Sequence, residues 1–306
     1  MMRHLFRLCF LSGLLWLGAC EEPRLPFEEG SPRLVVFSEF NNNQVLQVQV
    51  SKSRSLANDD GRQEFVLDAV VDLYREGVLL ETLILDDTVS PPIYTTRTLV
   101  PEPNVTYTIR VEAPGFEPAS AENSIPGGTA IKGLEVTDVQ RRPDPATGLI
   151  DYRYRVHIHF SDPPGELNYY HLNFYQETIP QPELGDAGAP PAARRIKAAF
   201  SDFAQGAFIP SQNGGILFAD DAFDGEDFSQ VFPLSFRLEP AERLGQLLVE
   251  LRAVSEAYYL FQTSVTRQQG PGVPVQGEVA VFNNIENGQG IFAGYSSALD
   301  SIQVVY

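Results

Sequence analysis

The nine-residue stretch YRYRVHIHF, residues 152–160, alternates aromatic or aliphatic side chains with polar ones. Successive side chains of a β-strand point to opposite faces of the sheet, so this alternation predicts a strand with one buried face. The buried face is expected to hold Tyr152, Tyr154, Val156, Ile158 and Phe160. After the turn Pro163-Pro164-Gly165, the segment 169–175 is expected to return as the paired strand of a hairpin.

Short strands also dominate the N-terminal side of this stretch. The apolar or alternating segments are 34–37, 44–50, 67–74, 78–85 and 106–111. Arg75-Glu76-Gly77 is placed to join two of them as a hairpin. Strands at such short intervals, with no helical period between them, indicate a small sandwich of the immunoglobulin or transthyretin-like kind. We expect it to occupy residues 33–129, because Pro126-Gly127-Gly128 marks a turn there.

The rest of the chain, residues 130–306, is expected to form a second domain that is again rich in β-structure. Residues 244–254 are a further strand candidate, and residues 256–269 form the strongest predicted helix, because Gly270-Pro271 ends it. The predicted fold class is therefore mainly β. An N-terminal immunoglobulin/transthyretin-like sandwich is followed by a second β-rich domain with one packed helix.

The N-terminus has the features of a lipoprotein signal peptide. Two arginines near the start give the positive charge, and residues 5–17 are mostly apolar but too few for a stable membrane span. The stretch ends in Leu17-Gly18-Ala19-Cys20, with a small residue directly before the cysteine. We therefore expect residues 1–19 to be removed, Cys20 to carry the lipid, and residues 20–32 to form a tether. An ordinary secretory signal with a chance cysteine is the alternative.

Charge and cysteine content narrow the function classes. The full chain has a formal net charge of −18, which becomes −20 once the leader, with two arginines and no acidic residue, is removed. This charge argues against nucleic acid as a partner and against direct docking to an anionic membrane surface. Cys9 leaves with the leader and Cys20 is acylated, so the mature chain has no thiol for a disulfide, a metal or nucleophilic catalysis.

Five segments in a fixed order carry a family resemblance. They are Val105–Phe116, Tyr169-Tyr170, Phe218–Gly225, Ser255–Tyr259 and Asn283–Phe292. Together they resemble the Bacteroidota lipoprotein family catalogued as domain of unknown function four-two-four-nine. The resemblance covers nearly all of the mature chain, and the last segment is its most specific part.

The resemblance implies a location and a partner more than a reaction. Members of the family are outer-membrane lipoproteins that are often encoded beside TonB-dependent receptors. We therefore expect a non-enzymatic accessory to a TonB-dependent transporter, acting in substrate capture or receptor assembly. In the last motif, Asn283, Asn284, Asn287, Gly288 and Gly290 are interpreted first as a structural turn and second as a partner-binding rim. A structural or adhesive envelope protein without a transport partner is a competing class.

Glu21 and Glu22 directly follow the lipidated cysteine. Acidic residues at this place resemble the signal that sends Bacteroidota lipoproteins to the cell surface, whereas in some other bacteria they favour retention at the inner membrane. A solvated linker is a strong alternative. The expected location is the outer membrane, with the lipid as the anchor and the protein at the cell surface.

The three histidines of the mature chain suggest an enzymatic alternative. His157, His159 and His171 all fall in the predicted hairpin, and in one register their imidazoles share a face and can hold zinc. A metal-assisted hydrolase is therefore the competing function. A one-residue register slip separates the three side chains, and exposed or interface histidines are the favoured interpretation. We predict no metal and no cofactor.

An acidic stretch, Asp220–Asp227, is the other place where chemistry is conceivable. Clustered carboxylates beside a glycine can bind calcium, but the spacing is not that of an EF-hand, so a solvated turn is favoured. Signatures of serine hydrolases, zinc proteases and phosphate-binding loops are absent from the sequence. We therefore expect no enzymatic activity.

Overall fold

The computed structural model describes residues 31–54, 62–181, 192–198, 200, 207–269 and 280–306. The described part is built mainly from β-strands, with one helix. The strands and the helix are β1 (Leu34–Asn41), β2 (Gln47–Lys52), β3 (Val70–Arg75), β4 (Val78–Thr82), β5 (Ile84–Asp86), β6 (Ile93–Thr95), β7 (Thr106–Glu112), β8 (Ala119–Ser124), β9 (Ile131–Pro143), β10 (Ile150–Ser161), β11 (Tyr169–Pro180), β12 (Arg194–Lys197), β13 (Ile209–Pro210), β14 (Ile216–Ala219), β15 (Asp227–Leu238), β16 (Glu242–Val254), α1 (Glu256–Gln269) and β17 (Gln289–Gln303).

One large sheet runs through the described structure. Its strand order is β13-β14-β11-β16-β17-β1-β2-β6-β5, with β12 added beside β11. The long strand β17 lies at the centre of this order. Its first half pairs in parallel with β1, and its second half pairs antiparallel with β16. Strands from the start and the end of the chain are therefore neighbours, and β17 joins them.

Two smaller sheets cover the two halves of the large sheet. The four-stranded sheet β4-β3-β7-β8 shares a core with β1, β2 and β6, and the three-stranded sheet β15-β10-β9 shares a core with β11, β14 and β16. Strand β17 contributes Phe292 to the first core, and Ile302 packs against the second. The fold class is mainly β, as predicted. The finer immunoglobulin-like assignment and the domain boundary at residues 129 and 130, between β8 and β9, stay predictions.

The alternating stretch that predicted a strand is β10, and its apolar residues form the buried face. The predicted hairpin partner is wrong. Strand β10 pairs with β9 and β15, whereas residues 169–180 form β11, which pairs with β12, β14 and β16 in the large sheet. The loop between β10 and β11 carries the chain across the core instead of turning back, because the apolar faces of both strands can then be buried against each other.

The predicted hairpin around Arg75-Glu76-Gly77 is confirmed as β3 and β4, but its second strand is shorter than expected. The strand is interrupted at Leu83. The Leu83 side chain is buried in the core shared by the four-stranded sheet and β1, β2 and β6, and its backbone N–H donates to Val71 O over 2.8 Å. Residues 84–86 then form β5, which joins the large sheet. Burial of Leu83 thus divides one apolar segment between two sheets.

Helix α1 has the bounds that the sequence predicted. Ser255 caps its N-terminus, since its Oγ accepts from the backbone N–H of Tyr258 over 3.4 Å. The helix lies on the side of the large sheet opposite the two sandwich cores, where Ala257 and Tyr258 pack with Ile291, Ala293 and Val254. The large sheet is therefore covered on both faces where β17 crosses it.

Candidate functional site

The residues predicted to attach and export the protein, Cys20, Glu21 and Glu22, lie outside the described residues, as does most of the tether 20–32. Their lipidation and export roles stay predictions. In the part of the chain that the structure describes, no helix has the length and apolar character needed to cross a membrane. The first described strand, β1, starts at Leu34, so the predicted tether leads directly into the large sheet.

The asparagines of the most specific motif are bonded within the chain. Asn284 forms two hydrogen bonds with the backbone of Phe292: its Nδ2 donates to the carbonyl over 2.8 Å, and its Oδ1 accepts from the N–H over 3.0 Å. Asn283 closes its own turn, because its Nδ2 donates to Ile285 O and Gly288 O, each over 3.2 Å. These side chains replace the missing backbone partners at the start of β17.

Three glycines of the same region permit close approach between backbones. A Cβ at Gly288 would stand 2.9 Å from Leu34 O, and a Cβ at Gly290 would overlap Val36 O. Gly290 has a φ of 115°, and a Cβ at Gly294 would overlap Ser124 O. Gly288 does not have a positive φ; the left-handed residue of this turn is Asn287, with a φ of 55°. Gly288 is thus required for space, and Gly290 for both space and conformation.

The motif also connects β17 to the four-stranded sheet. Glu286 forms a two-way backbone bridge with Ser120 of β8, with N···O distances of 2.7 and 3.2 Å. Asn287 Nδ2 donates to Pro118 O over 3.4 Å, and Asn123 Oδ1 accepts from the Gly294 N–H over 3.0 Å. The motif is therefore a junction between sheets: Asn283, Glu286 and Asn287 are exposed, but the asparagine amides are hydrogen-bonded within the chain. This arrangement favours the structural interpretation over a partner-binding rim.

The three histidines do not form one site, so the register in which their imidazoles would share a face is not the one found. His157 Nε2 lies 2.9 Å from Thr137 Oγ1, and His159 Nδ1 lies 3.1 Å from Phe228 O. Both are on β10, whereas His171 is on β11 in the opposite sheet. Because the apolar faces of these strands meet in the core, the histidines lie on opposite outer sides of the sandwich.

A polar cluster that sequence reasoning missed lies between α1 and the large sheet. We name it the Arg252 cluster; its members are Glu39, His171, Glu250, Arg252 and Tyr258. Arg252 Nε lies 2.9 Å from Glu250 Oε1 in a largely buried ion pair. The guanidinium also lies 4.4 Å from the centroid of the Tyr295 ring, and its Nη1 donates to Tyr258 Oη over 3.2 Å. The sequence pattern that could have predicted this cluster is the pair of charged residues, Glu250 and Arg252, at alternate positions of the otherwise apolar second half of β16.

His171 is held neutral in this cluster. Gly214 O lies 3.0 Å from Nε2 and can only accept, so Nε2 carries the proton and Nδ1 accepts from Tyr258 Oη over 2.9 Å. Burial, helped by the nearby charge of Arg252, lowers the pKa of His171 to about 3. With both ring nitrogens bonded, the imidazole is neither a free base nor a free metal ligand.

The carboxylates of the cluster have opposite pKa shifts. Burial raises the pKa of Glu39, although Gln262 Nε2 donates to its Oε1 over 2.6 Å and opposes the rise. Burial also acts to raise the pKa of Glu250, but the hydrogen bond and charge of Arg252 outweigh it, and the pKa is lowered. Glu250 is thus fixed as the counter-ion of Arg252. The arrangement connects α1 to the sheet and contains no activated nucleophile among the described residues.

The acidic stretch is only partly a solvated turn. Asp221, Asp224 and the residues up to Asp227 are exposed, as expected, but Asp220 is fully buried. It directly follows β14, whose Phe218 lies in the core, so the strand carries the carboxylate inward. Asp220 therefore departs from the prediction because tertiary packing, and not the local turn, decides its burial.

Comparison with protein families gives a match over most of the chain. The family described as Domain of unknown function (DUF4249) matches residues 21–300 of the chain. Among curated proteins, none matches. The matched span includes all five segments on which the resemblance rests, and it begins directly after Cys20.

Replacement of Gly290 by alanine tests the junction. We expect Gly290→Ala to lower the free energy of unfolding by about 3 kcal/mol or more, because the new methyl group overlaps a backbone carbonyl as well as straining the backbone. Gly148→Ala is the matched control: this glycine has a φ of 76° but no atom within 4 Å of the added Cβ. Gly148→Ala should lower the free energy of unfolding by only about 1–2 kcal/mol. Equal losses in urea denaturation would contradict the close approach.

Acidification tests the buried His171. The pKa of His171 in the folded state lies below its unfolded value near 6.5. The contribution of His171 to the free energy of unfolding is therefore fully present above pH 6.5 and is lost as pH falls towards about 3. His171→Gln, which can donate to Gly214 O and accept from Tyr258, removes this proton uptake. Below pH 6.5, we expect wild type to lose up to about 1.4 kcal/mol per pH unit more than the variant. Parallel curves of unfolding free energy against pH, with His157→Gln as control, would refute the prediction.

Proposed function

Because the chain belongs to the DUF4249 family, we propose that it is an outer-membrane lipoprotein that acts without catalysis beside a TonB-dependent transporter, in substrate capture or receptor assembly. The observation that carries the proposal is the leader, whose apolar stretch ends in Leu17-Gly18-Ala19-Cys20. Acyl chains on Cys20 would confine the protein to the plane of the membrane. There, a modest interface suffices for a lasting contact, because two membrane-bound proteins have a high effective concentration.

The arrangement of reactive side chains supports a non-enzymatic role. A metal-assisted hydrolase needs the three histidines on one face, and they lie on opposite sides of a sandwich. In the Arg252 cluster, the ionised groups neutralise one another, and His171 has both nitrogens bonded. These features stabilise a helix on a sheet and leave no obvious acid–base pair at that site.

An exposed apolar strand supports binding to a partner. Strand β4 forms one edge of the four-stranded sheet, and its Val78, Leu79 and Leu80 are 64, 51 and 41% exposed. Leu67, Val70 and Ile84 nearby are also exposed. An apolar edge strand is normally covered, since its free backbone groups and side chains promote association. We infer that β4 is the receptor-facing surface, in preference to the rim at Asn283–Asn287, whose amides are bonded internally.

The negative net charge of the chain would add an electrostatic attraction to its contact with the proposed receptor. A mature chain with a formal charge of −20 is drawn to a basic patch on its partner. Such attraction is screened by salt over about 8–10 Å at physiological ionic strength. Apolar contacts at β4 are not screened in this way, so the interface would weaken with salt without being abolished. A structural or adhesive envelope protein, the competing class, predicts no such partner.

Membrane fractionation tests the anchor and the export signal. We expect Cys20→Ala to leave a folded protein that is lost from the outer-membrane fraction, because the anchor is chemically separate from the β-sheets. Glu21→Ala combined with Glu22→Ala should keep the lipid but reduce cleavage by protease added to intact cells. A Cys20→Ala protein that stays in the outer membrane, or equal cleavage with and without the acidic pair, would count against the lipid or the export assignment respectively.

A mild-detergent pull-down tests the partner and the surface. The full mature chain should recover a TonB-dependent receptor, with less recovered at high salt. Leu79→Lys combined with Leu80→Lys should abolish recovery, because charges on the edge strand oppose burial. Leu299→Lys is the matched control, as Leu299 is 65% exposed at a different place, on β17. Recovery of no receptor under any condition would favour the envelope-protein class, and equal recovery by both variants would exclude β4 as the surface.

A further inference from the structure

Three aspartates from separate parts of the chain meet at one end of the C-terminal sandwich. Asp162 directly follows β10, Asp220 directly follows β14, and Asp224 lies in the turn that leads to β15. One carboxylate oxygen from each lies within 4.8 Å of the others. The strands that end here hold the two buried aspartates in place, so the cluster is part of the fold.

Two of these carboxylates are inside the protein. Asp162 is 4% exposed and Asp220 is 0% exposed. Asp162 accepts hydrogen bonds from the Tyr170 hydroxyl at one oxygen and from the Gly225 N–H at the other. Asp220 Oδ2 accepts from the backbone N–H of Asn168 over 2.9 Å and from its Nδ2 over 3.2 Å. Asp220 Oδ1, in contrast, is buried without a hydrogen-bond partner among the described residues.

The cluster also lacks a counter-ion in the described protein. Within the described ranges, no lysine or arginine forms an ion pair with any of the three aspartates. Burial raises the pKa of Asp162, and the charge of Asp220 raises it further. Elsewhere in the chain, the largely buried Glu250 is neutralised by Arg252. A buried carboxylate oxygen with neither donor nor cation is costly, and it indicates that a ligand is expected at this place.

We propose that Asp162, Asp220 and Asp224 bind one calcium ion. The ligand atoms are all carboxylate oxygens, which suit hard cations, and no histidine or cysteine of the described residues joins the cluster to favour zinc. Calcium accepts six to eight oxygens in irregular geometry, whereas magnesium requires a near-ideal octahedron. Asp224 is exposed, which leaves one side of the site open to water for the remaining positions.

Neighbouring contacts hold the site in shape before any ion arrives. The Gly165 N–H donates to Asp224 Oδ1 over 2.9 Å, so the turn after β10 orients the exposed ligand. A Cβ at Gly225 would stand 2.7 Å from Pro164 Cβ, which shows how closely the two loops pack. A bound ion would connect the loop after β10 to the loop before β15. It would therefore stabilise the folded chain, since the unfolded chain has no such cage.

Thermal unfolding of the mature protein in detergent tests the proposal. The protein is first treated with EGTA to remove bound calcium. Calcium chloride at about 100 times the Kd of the site for calcium should then raise the Tm of the wild-type protein by about 5 °C. Asp220→Asn keeps the shape and an acceptor for Asn168 but should lose this rise. Asp221→Asn, an exposed neighbour in the same loop, should keep it. No rise in wild type, an equal rise with sodium chloride at matched ionic strength, or an unchanged response in Asp220→Asn would overturn the site.

Terbium luminescence gives a reading that does not depend on a variant. The only tryptophan, Trp16, lies in the predicted leader, so tyrosine is the sensitiser in the mature chain. The Tyr170 hydroxyl contacts Asp162, which places a ring beside the proposed ion. Excitation of tyrosine should therefore produce terbium emission that an excess of calcium displaces. Absence of that emission, or emission that excess calcium does not displace, would overturn the site.

Discussion

The fold depends on how closely β17 approaches the strands around it. At Gly290 and Gly294 the backbone lies so near to Val36 O and Ser124 O that no side chain fits. The first half of β17 pairs with β1 and its second half pairs with β16, so that strands from both ends of the described chain share a sheet. Asn284 then completes the backbone hydrogen bonds of Phe292, which no strand of the described structure supplies. The most specific motif of the family is therefore explained by packing and hydrogen bonding.

Buried carboxylates have different partners at two places in the same protein. Under α1, the carboxylate of Glu250 is balanced by Arg252, whose guanidinium is further held by Tyr258 and the Tyr295 ring. At the end of β10 and β14, Asp162 and Asp220 have backbone and hydroxyl donors but no cationic side chain from the described part of the chain. The desolvation of a buried carboxylate is costly unless an opposite charge and hydrogen-bond donors contact it directly. This contrast within one chain is the reason to propose an ion at the aspartates.

The proposed function uses two parts of the protein, the predicted lipid anchor at Cys20 and the exposed edge strand β4. A lipidated protein needs only a small interface to stay with a partner in the same membrane, and the edge strand β4 presents three consecutive apolar side chains. The proposed ion would lie at the other sandwich, on loops that follow β10 and β14. Membrane attachment, partner binding and ion binding would then use separate parts of the chain, so that each can be removed without unfolding the others.

The sequence by itself determined the local structure: the alternation in residues 152–160 fixed a strand with its buried face, and the Gly270-Pro271 pair after residue 269 agreed with the observed end of α1. It also predicted the leader, which no contact in the described structure tests. Tertiary structure alone decided which strands pair, since β10 and β11 face each other across a core and are not joined as a hairpin. It likewise separated the three histidines and brought Asp162 to Asp220. Periodicity reports which face of a strand is apolar, but the neighbour of that strand is chosen by the total area that the whole chain can bury.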